Sequence, residues 1–420
     1  TDVLQAEQLG TGHAVRVALD AVPDDGGTVV VLNGDVPLLR PESLAALIAA
    51  HEGAGAAATV LTAEAADPTG LGRVIRAADG SLERIVEERD ATPEQRRLRE
   101  VNAGIYVFDG KRLAAALGEV SRDNAQGEEY LTDVIGVFAA AGEPVGVHVA
   151  ADPGETLGCN DRAELAELRR RLRDRVNAEW LRAGVSILDP ATTWIDVTVR
   201  LGRDAVVDQN TQLQGATEVG EGAVVGPDTT LVDTVVGAAA SVVRAHAIGA
   251  EIGSDVTVGP YAFLRPGSRL GAKAKIGTFV ETKNADIGPG AKVPHLSYVG
   301  DATVGEGTNI GAATVFANYD GVSKHHTVIG SHARTGADNM FVAPVRVGDG
   351  AYTAAGSVIT ADVPPGALGV ARGQQRNIDG WVGRRRPGTV SAEAAARALG
   401  GATDPAAADS APQSPDNAAE

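Results

Sequence analysis

Val219-Gly220-Glu221-Gly222-Ala223-Val224 runs directly into Val225-Gly226-Pro227-Asp228-Thr229-Thr230, and the same six-residue phrase returns at Ile252-Gly253-Ser254-Asp255-Val256-Thr257 and Val258-Gly259-Pro260-Tyr261-Ala262-Phe263. From about Leu201 to Thr360 the aliphatic-glycine pair keeps recurring, as Ile276-Gly277, Ile287-Gly288, Val304-Gly305, Ile310-Gly311, Ile329-Gly330 and Val347-Gly348. A period of six is too short for a helical hairpin repeat and too regular for a sandwich. It predicts a parallel β-helix whose short strands each stack an aliphatic side chain on the coil below. Glycine then falls where the chain turns and a Cβ would crowd it.

Composition fits such a coil. The 420 residues suffice for two or three domains, and 52 glycines with 4% aromatics match a core of small aliphatics. A net charge of −18 opposes general nucleic-acid binding but leaves room for a local basic pocket for phosphates. The single cysteine, Cys159, permits no internal disulfide, which suits a reducing cytoplasm. No signal peptide and no long apolar run is present, so no membrane span is expected.

Residues 1–160 have another texture. The β-branched run Thr28-Val29-Val30-Val31-Leu32 ends at Asn33-Gly34-Asp35, a helical stretch follows from Pro41 to His51, and a second run spans Ala57 to Thr62. Strands alternating with helices predict an α/β domain with a mostly parallel sheet. Functional groups belong at the carboxyl ends of its strands, and Asp35 sits at one. Asp161 to Leu181 reads as one helix, opened by Asp161 and Glu164 in a capping-box spacing. Its apolar stripe is Leu165, Leu168, Leu172 and Val176, with Gly184 just past the end. Its arginines, Arg169 to Arg171, Arg173 and Arg175, read as the solvated face of a linker. After about Gly388 the chain turns Ala-, Pro-, Asp- and Ser-rich without large apolar residues, which predicts disorder.

Two stretches interrupt the six-residue rhythm: Lys292-Val293-Pro294-His295-Leu296-Ser297-Tyr298, and Val315 to His326 with Asn318-Tyr319-Asp320-Gly321 inside it. Insertions in a solenoid loop out on one face and carry binding groups. Arg265-Pro266-Gly267 and Glu281-Thr282-Lys283 precede them. Arg and Lys hold phosphates, and His is the usual general base near neutral pH.

These blocks, with His295 to Asp301, Asn309-Ile310-Gly311-Ala312 and Asn318 to Gly321, strongly resemble the bifunctional family that joins glucosamine-1-phosphate N-acetyltransferase to N-acetylglucosamine-1-phosphate uridyltransferase (the GlmU type). The resemblance runs from Leu4 to about Trp381. It implies an α/β nucleotidyltransferase domain (Rossmann-like, N-terminally truncated; 1–160) and a linker helix (161–183). It further implies a left-handed parallel β-helix of hexapeptide repeats as the acetyltransferase domain (184–383), followed by the disordered tail (384–420). Handedness comes from the family, not from the repeat.

Residue roles follow from the resemblance. His295 takes a proton from the 2-amino group as it attacks the acetyl-CoA thioester. Arg265, Lys283 and Tyr298 grip the sugar phosphate, and Asn309 and Asn318 position the amine. Asn318 is counted also with Ala312, Tyr319, Lys324, Ala337, Ala355 and Arg372 along the acetyl-CoA groove, which in the family lies between subunits of a homotrimer. Upstream, Leu4 to Ala14 is similar to the uridine loop, with Gln5 reading the base and Gly10 and Thr11 letting the backbone approach the nucleotide. Gly72, Glu87 and Asn102 match the sugar-binding blocks. Asp35 and Asn160 are the implied Mg²⁺ ligands, with Asn160 also on the nucleotide side. UTP and acetyl-CoA are the implied cosubstrates, and the location is cytoplasmic.

The family's glycine-rich loop, with its Gly-Thr-Arg-Met-type segment and following lysine, is expected upstream of Thr1. The sequence is therefore read as a fragment whose uridyltransferase site is impaired. Within the second site, Ala313 stands where the family usually has Gly, and Ala337 where it often has Ser. Two rival readings remain. His325, His326 and His332 raise a zinc-dependent trimeric β-helix carbonic anhydrase, and a chain lacking its phosphate loop raises a non-catalytic scaffold subunit.

Overall fold

The computed structural model describes residues 2–22 and 26–400. The chain divides into two compact units, Thr1–Leu172 and Arg173–Glu420. In the first, α1 (Thr11–Leu19) precedes β1 (Thr28–Val31), α2 (Pro41–Ala54), β2 (Ala58–Glu64), β3 (Arg73–Arg76), β4 (Leu82–Val86), β5 (Glu100–Asp109), α3 (Gly110–Leu117), α4 (Asp133–Ala140) and β6 (Val145–Val149). Side chains of β2 alternate between two cores, as the two-residue period of a strand requires. Ala58 and Val60 join Phe108, Leu113, Val134 and Ile135. Leu61 and Ala63 join Leu47 of α2 with Ile105 and Val107. The sheet is thus covered on both faces, the α/β layering expected.

Its strand directions differ from the expectation of a mostly parallel sheet. β5 lies antiparallel to β1, β2 and β3, and only β2 with β6 pairs in parallel. The cause is the β3–β4 hairpin, which returns the chain so that β5 enters the sheet from the opposite end.

α5 (Arg162–Arg182) follows, and the division between units falls within it. Asp161 Oδ1 accepts from the backbone of Ala163 and Glu164 at 2.8 Å each, the cap its spacing predicts. Leu168 and Val176 are buried, but Leu165 is exposed, so the apolar stripe is shorter than expected. In the second unit the buried Asn177 donates through Nδ2 to the carbonyls of Pro190 and Thr193 in the first coil, both at 3.0 Å. Arg173 stacks over Trp194 at 4.9 Å.

The coil obeys its repeat. Val206 pairs with Val224, Val224 with Ser241, Ser241 with Thr257, Thr257 with Lys275 and Lys275 with Lys292, steps of 16 to 18 residues. Three six-residue units therefore make one turn, one unit per face. The next residues, Val207, Val225, Val242, Val258, Ile276 and Val293, form a fully buried column. A second column runs Leu213, Leu231, Ala247 and Leu264, and a third Val219, Val236, Ile252, Leu270, Ile287 and Val304. This is the left-handed parallel β-helix that the resemblance implies. A Cβ on Gly237 would stand 2.6 Å from the backbone nitrogen of Ser254 on the next coil, which is why glycine follows the aliphatic residue at this corner.

After the coil come α6 (Trp381–Arg385) and α7 (Val390–Gly400), and α7 is helical where disorder was expected. Alanine is the best helix former, so an Ala-rich segment without large apolar residues still forms a helix. The rest of the expected tail, 401–420, lies outside the described residues.

Candidate functional site

The two interruptions behave differently. The step from Ile276 to Val293 is the ordinary one, and Val293 and Val299 both occupy buried column positions. The Lys292–Tyr298 stretch is therefore not an insertion: the rhythm continues beneath unusual residues, and His295 sits exposed at a corner beside Leu296 (φ 50°). The second interruption is a true insertion. Ala302 pairs with Thr327, a step of 25, and the surplus chain folds into a small hairpin closed by a Tyr319–Lys324 bridge. Asp320 holds its turn: Oδ1 accepts from Val322 N (2.8 Å) and Ser323 N (2.6 Å), while Oδ2 meets His325 Nε2 at 2.7 Å. Those bonds, the Ser323 amide foremost, hold its carboxyl far below the usual range.

Beside the hairpin several polar groups converge. Gly300 pairs with Lys283, and a Cβ added there would lie 2.3 Å from the Tyr298 hydroxyl and 2.8 Å from Asn318 Nδ2, so these side chains fold over a space that glycine leaves open. Asn318 Nδ2 donates to the Tyr298 hydroxyl (3.3 Å) and to Asp301 Oδ2. The Lys324 ammonium lies against that of Lys283, and this like-charge contact lowers its pKa, with Asp301 and Tyr298 acting the other way. Two facing cations make a place for an anion, even with the Asp301 carboxylate beside them. Arg265 stands above, its Nη1 2.9 Å from Glu281 Oε1.

The remaining expected residues do not join that cluster within one chain. Asn309 belongs to the face of Lys292 and Arg334, paired to both. Ala312, Ala337 and Ala355 stack coil on coil: Asp338 N donates to Ala312 O, Gly356 N to Ala337 O, and Arg372 Nη1 to Ala355 O at 2.7, 2.9 and 2.8 Å. His295 stands at the corner of the Asn309 face, paired with Thr278, and its carbonyl accepts from Ala313 N. Ala313 has φ 60°, a left-handed conformation that explains why glycine suits this position.

In the α/β unit the expected groups form a connected edge. A Cβ on Gly158 would lie 3.8 Å from Asp35 Oδ2, so Asp35 faces the segment carrying Asn160. A carboxylate and an amide oxygen suit a hard cation that takes its other ligands from phosphates. Asn33, in the Asp35 turn, packs on Gly104, which has φ 70° and where a Cβ would meet Asn33 Nδ2 at 2.1 Å. Asn102 donates to the Tyr106 hydroxyl (2.6 Å), and its backbone N–H bonds Gly72 O (2.9 Å). Gly72 lies against the Glu87 carboxyl, which also accepts from Thr132 Oγ1 at 3.2 Å. Burial, and then Asp133 and Asp90, push Glu87 above the ordinary carboxylate range.

The uridine-loop residues have structural duties. Gly10 has φ 111°, and its missing Cβ makes room for Glu129 O at 2.5 Å, while the Thr11 hydroxyl accepts from Leu131 N at 3.0 Å. Gln5 Nε2 donates to Gly10 O at 3.1 Å and braces its own loop. Sequence reasoning gave no role to Glu129, clamped by Arg16 (2.8 Å) and Arg122 (2.6 Å), nor to Tyr130, whose buried hydroxyl has no hydrogen-bond partner among the described residues. Their signal is tertiary, since Glu129 meets Gly10 across 119 residues of chain.

The zinc reading is not favoured. Two of its three histidines are already partnered within one chain, His325 by Asp320 and His326 by Thr303 Oγ1 (2.9 Å).

Comparison with known proteins agrees with both halves. A nucleotidyl transferase family profile matches residues 1–197. The chain is 62% identical over 396 residues to the bifunctional protein GlmU of Streptomyces avermitilis, covering 93% of this chain and 82% of that protein. The bifunctional protein GlmU of Streptomyces coelicolor is 61% identical over 93% and 82%, and that of Corynebacterium efficiens 56% over 94% and 81%. Among solved structures, an Arabidopsis UDP-N-acetylglucosamine acyltransferase aligns over 55% of this chain and 85% of its own at 14% identity and TM-score 0.28, too distant to carry an argument.

Proposed function

The chain belongs to the family of bifunctional GlmU proteins, and from that premise we propose how its residues divide two reactions. It is a glucosamine-1-phosphate N-acetyltransferase and an N-acetylglucosamine-1-phosphate uridyltransferase, and the scaffold reading falls away with that membership.

In the coil, Arg265, Lys283 and Tyr298 bind the phosphate of glucosamine-1-phosphate, joined by Lys324, which lies against Lys283 and so is moved here from the acetyl-CoA groove, and Asn318 orients the sugar. His295 takes a proton from the 2-amino group as its nitrogen attacks the thioester carbonyl. The new N–C bond forms, the C–S bond breaks, and the departing coenzyme A sulfur takes up a proton. The column of Ala312, Ala337 and Ala355 ending at Arg372 is the groove for acetyl-CoA, small side chains leaving room for the pantetheine arm. The observation that carries this reading is the folding of Tyr298 and Asn318 over Gly300 beside the Lys283–Lys324 pair.

Asn309 and the alanine column occupy one face while Lys283 and Asn318 occupy another. A single pocket holding all of them needs adjoining chains, so the assembly we propose is a homotrimer. Exposed Tyr261, Phe279 and Leu296, the first two stacked at 5.4 Å, offer an apolar corner for such packing.

In the α/β unit, Gly72, Glu87 and Asn102 hold N-acetylglucosamine-1-phosphate, and Gln5, Gly10 and Thr11 hold the uridine nucleotide. Asp35 and Asn160 are the residues that would hold Mg²⁺, which when bound neutralises phosphate charge. The protein's own part is to align the sugar phosphate with the α-phosphorus of UTP. No described helix is long and apolar enough to cross a membrane. We place both reactions in the cytoplasm.

The test is coenzyme A release from acetyl-CoA with glucosamine-1-phosphate, comparing the chain with His295→Ala. A loss of about a hundredfold or more is expected. Equal turnover would remove His295 from the mechanism, and no turnover by the folded protein would remove the acetyltransferase assignment.

A further inference from the structure

Asp301 carries none of the roles assigned above, yet it lies at the centre of the acetyl-acceptor cluster. It is 8% exposed and has φ 48°. The same corner in earlier coils is held by Asp233 at φ 47°, whose Oδ1 accepts from Ala216 N at 2.9 Å, then by Gly249 and Gly267, also with positive φ, and then by Asn284 at φ 43°. An L-residue in this conformation is costlier than glycine. A carboxylate beside a phosphate-binding lysine pair is costlier still, because it repels the ligand. Asp301 meets both costs with a fully engaged side chain: Oδ1 accepts from Asn284 Nδ2 at 2.8 Å, and Oδ2 accepts from Asn318 Nδ2. Burial raises its pKa, but the two amide donors and the charges of Lys283 and Lys324 outweigh that and hold it ionised.

An ionised carboxylate can only accept. Asn318 must therefore turn its NH₂ toward Asp301, where the second hydrogen reaches the Tyr298 hydroxyl. The amide oxygen then has one direction left, away from Asp301, as an acceptor. A flipped amide would set oxygen against oxygen in a buried place.

Resting on the acetyltransferase reading above, we propose that Asp301 is a positioning residue: it locks the Asn318 carboxamide with its oxygen toward the acceptor sugar, where it takes a hydrogen bond from the 2-amino group and aims the nitrogen lone pair at the thioester. The lock acts through Asn318 and touches no substrate. It governs the alignment of an amine already bound, so its loss lowers kcat while KM for glucosamine-1-phosphate, set by Arg265 and the lysines, changes little.

The experiment is a double-mutant cycle on acetyl transfer with Asp301→Asn, Asn318→Ala and the double variant in the full chain, each checked for a native unfolding midpoint. Asp301→Asn is nearly isosteric, and its own amide no longer dictates which way Asn318 faces. The expected result is a kcat about tenfold below wild type for Asp301→Asn with KM within about twofold, and a double variant no slower than Asn318→Ala alone. Losses that multiply would show that Asp301 acts independently of Asn318 and overturn the inference, as would an Asp301→Asn enzyme within about twofold of wild-type kcat, or a loss expressed in KM alone. An active wild type with a silent Asp301→Asn refutes this inference only. A wild type without turnover refutes the acetyltransferase assignment, and this inference with it.

Discussion

The two units build their sites by opposite means. In the coil, Glu281, Tyr298 and Val315 are successive occupants of one position on neighbouring turns, and Lys283 and Gly300 of another. Register alone brings them together. In the α/β unit, Asp35, Glu87, Asn102 and Asn160 come from four unrelated turns and strand ends, aligned by single close approaches such as Asn33 on Gly104. A repeating scaffold spreads the work of positioning over a whole column of buried aliphatics. A layered domain concentrates it in a few contacts that nothing repeats.

That contrast can be broken in four places. The largest effect is expected at Gly300→Ala. The new Cβ displaces the Tyr298 hydroxyl and Asn318 while the buried columns stay intact. Acetyl transfer should fall about a hundredfold with little change in melting temperature, because displacements of an ångström cost that much in a preorganised site. A collapse in stability instead would mean that the site and the stack are not separable. Next is Gly104→Ala, which at φ 70° both strains the backbone and pushes Asn33 away. Calorimetric binding of UDP-N-acetylglucosamine should weaken about tenfold, roughly 1.4 kcal/mol, with acetyl transfer unaffected.

A smaller effect, of opposite sign, is expected from Ala313→Gly. Relief of the left-handed alanine should stabilise the coil by about 1 kcal/mol, read as a rise of a few degrees in its unfolding transition. The smallest is Glu87→Gln. Burial raises this carboxyl in the folded state, so its contribution is complete below the unfolded pKa and declines as pH rises through the folded one. Glutamine cannot ionise, so the variant's melting temperature relative to wild type should be higher at pH 7.5 than at pH 4. An unchanged difference would place Glu87 in a wetter setting than its burial implies.

The same contrast decides what could be read in advance. The coil was legible because its period is carried by side chains that repeat, and Val293 and Val299 keep that period even where Pro294 and His295 disguise it. That disguise is why an ordinary corner looked like an insertion, while the real insertion was legible as a break in spacing. The resemblance located Lys283, Tyr298 and Asn318 but gave Asp301 no role, since its duty depends on which way an amide faces. In the α/β unit the strands near Val29 and Val60 were legible, but the direction of β5 was not, because a hairpin reverses it without any local sign. Gly10 was read from the resemblance as a nucleotide-facing residue, and its second duty, making room for Glu129 at φ 111°, had no local sign. The alanine-rich end was read as disorder from what it lacks, although what it contains favours a helix.

The Asn177 side chain, buried between α5 and the first turn of the coil, has a wider consequence. Stacked parallel strands end in a row of backbone groups ready to receive another strand, and nothing in a six-residue repeat says where growth should stop. By taking the carbonyls of Pro190 and Thr193, this amide removes two acceptors from that open end, a small piece of protection against the addition of a further strand.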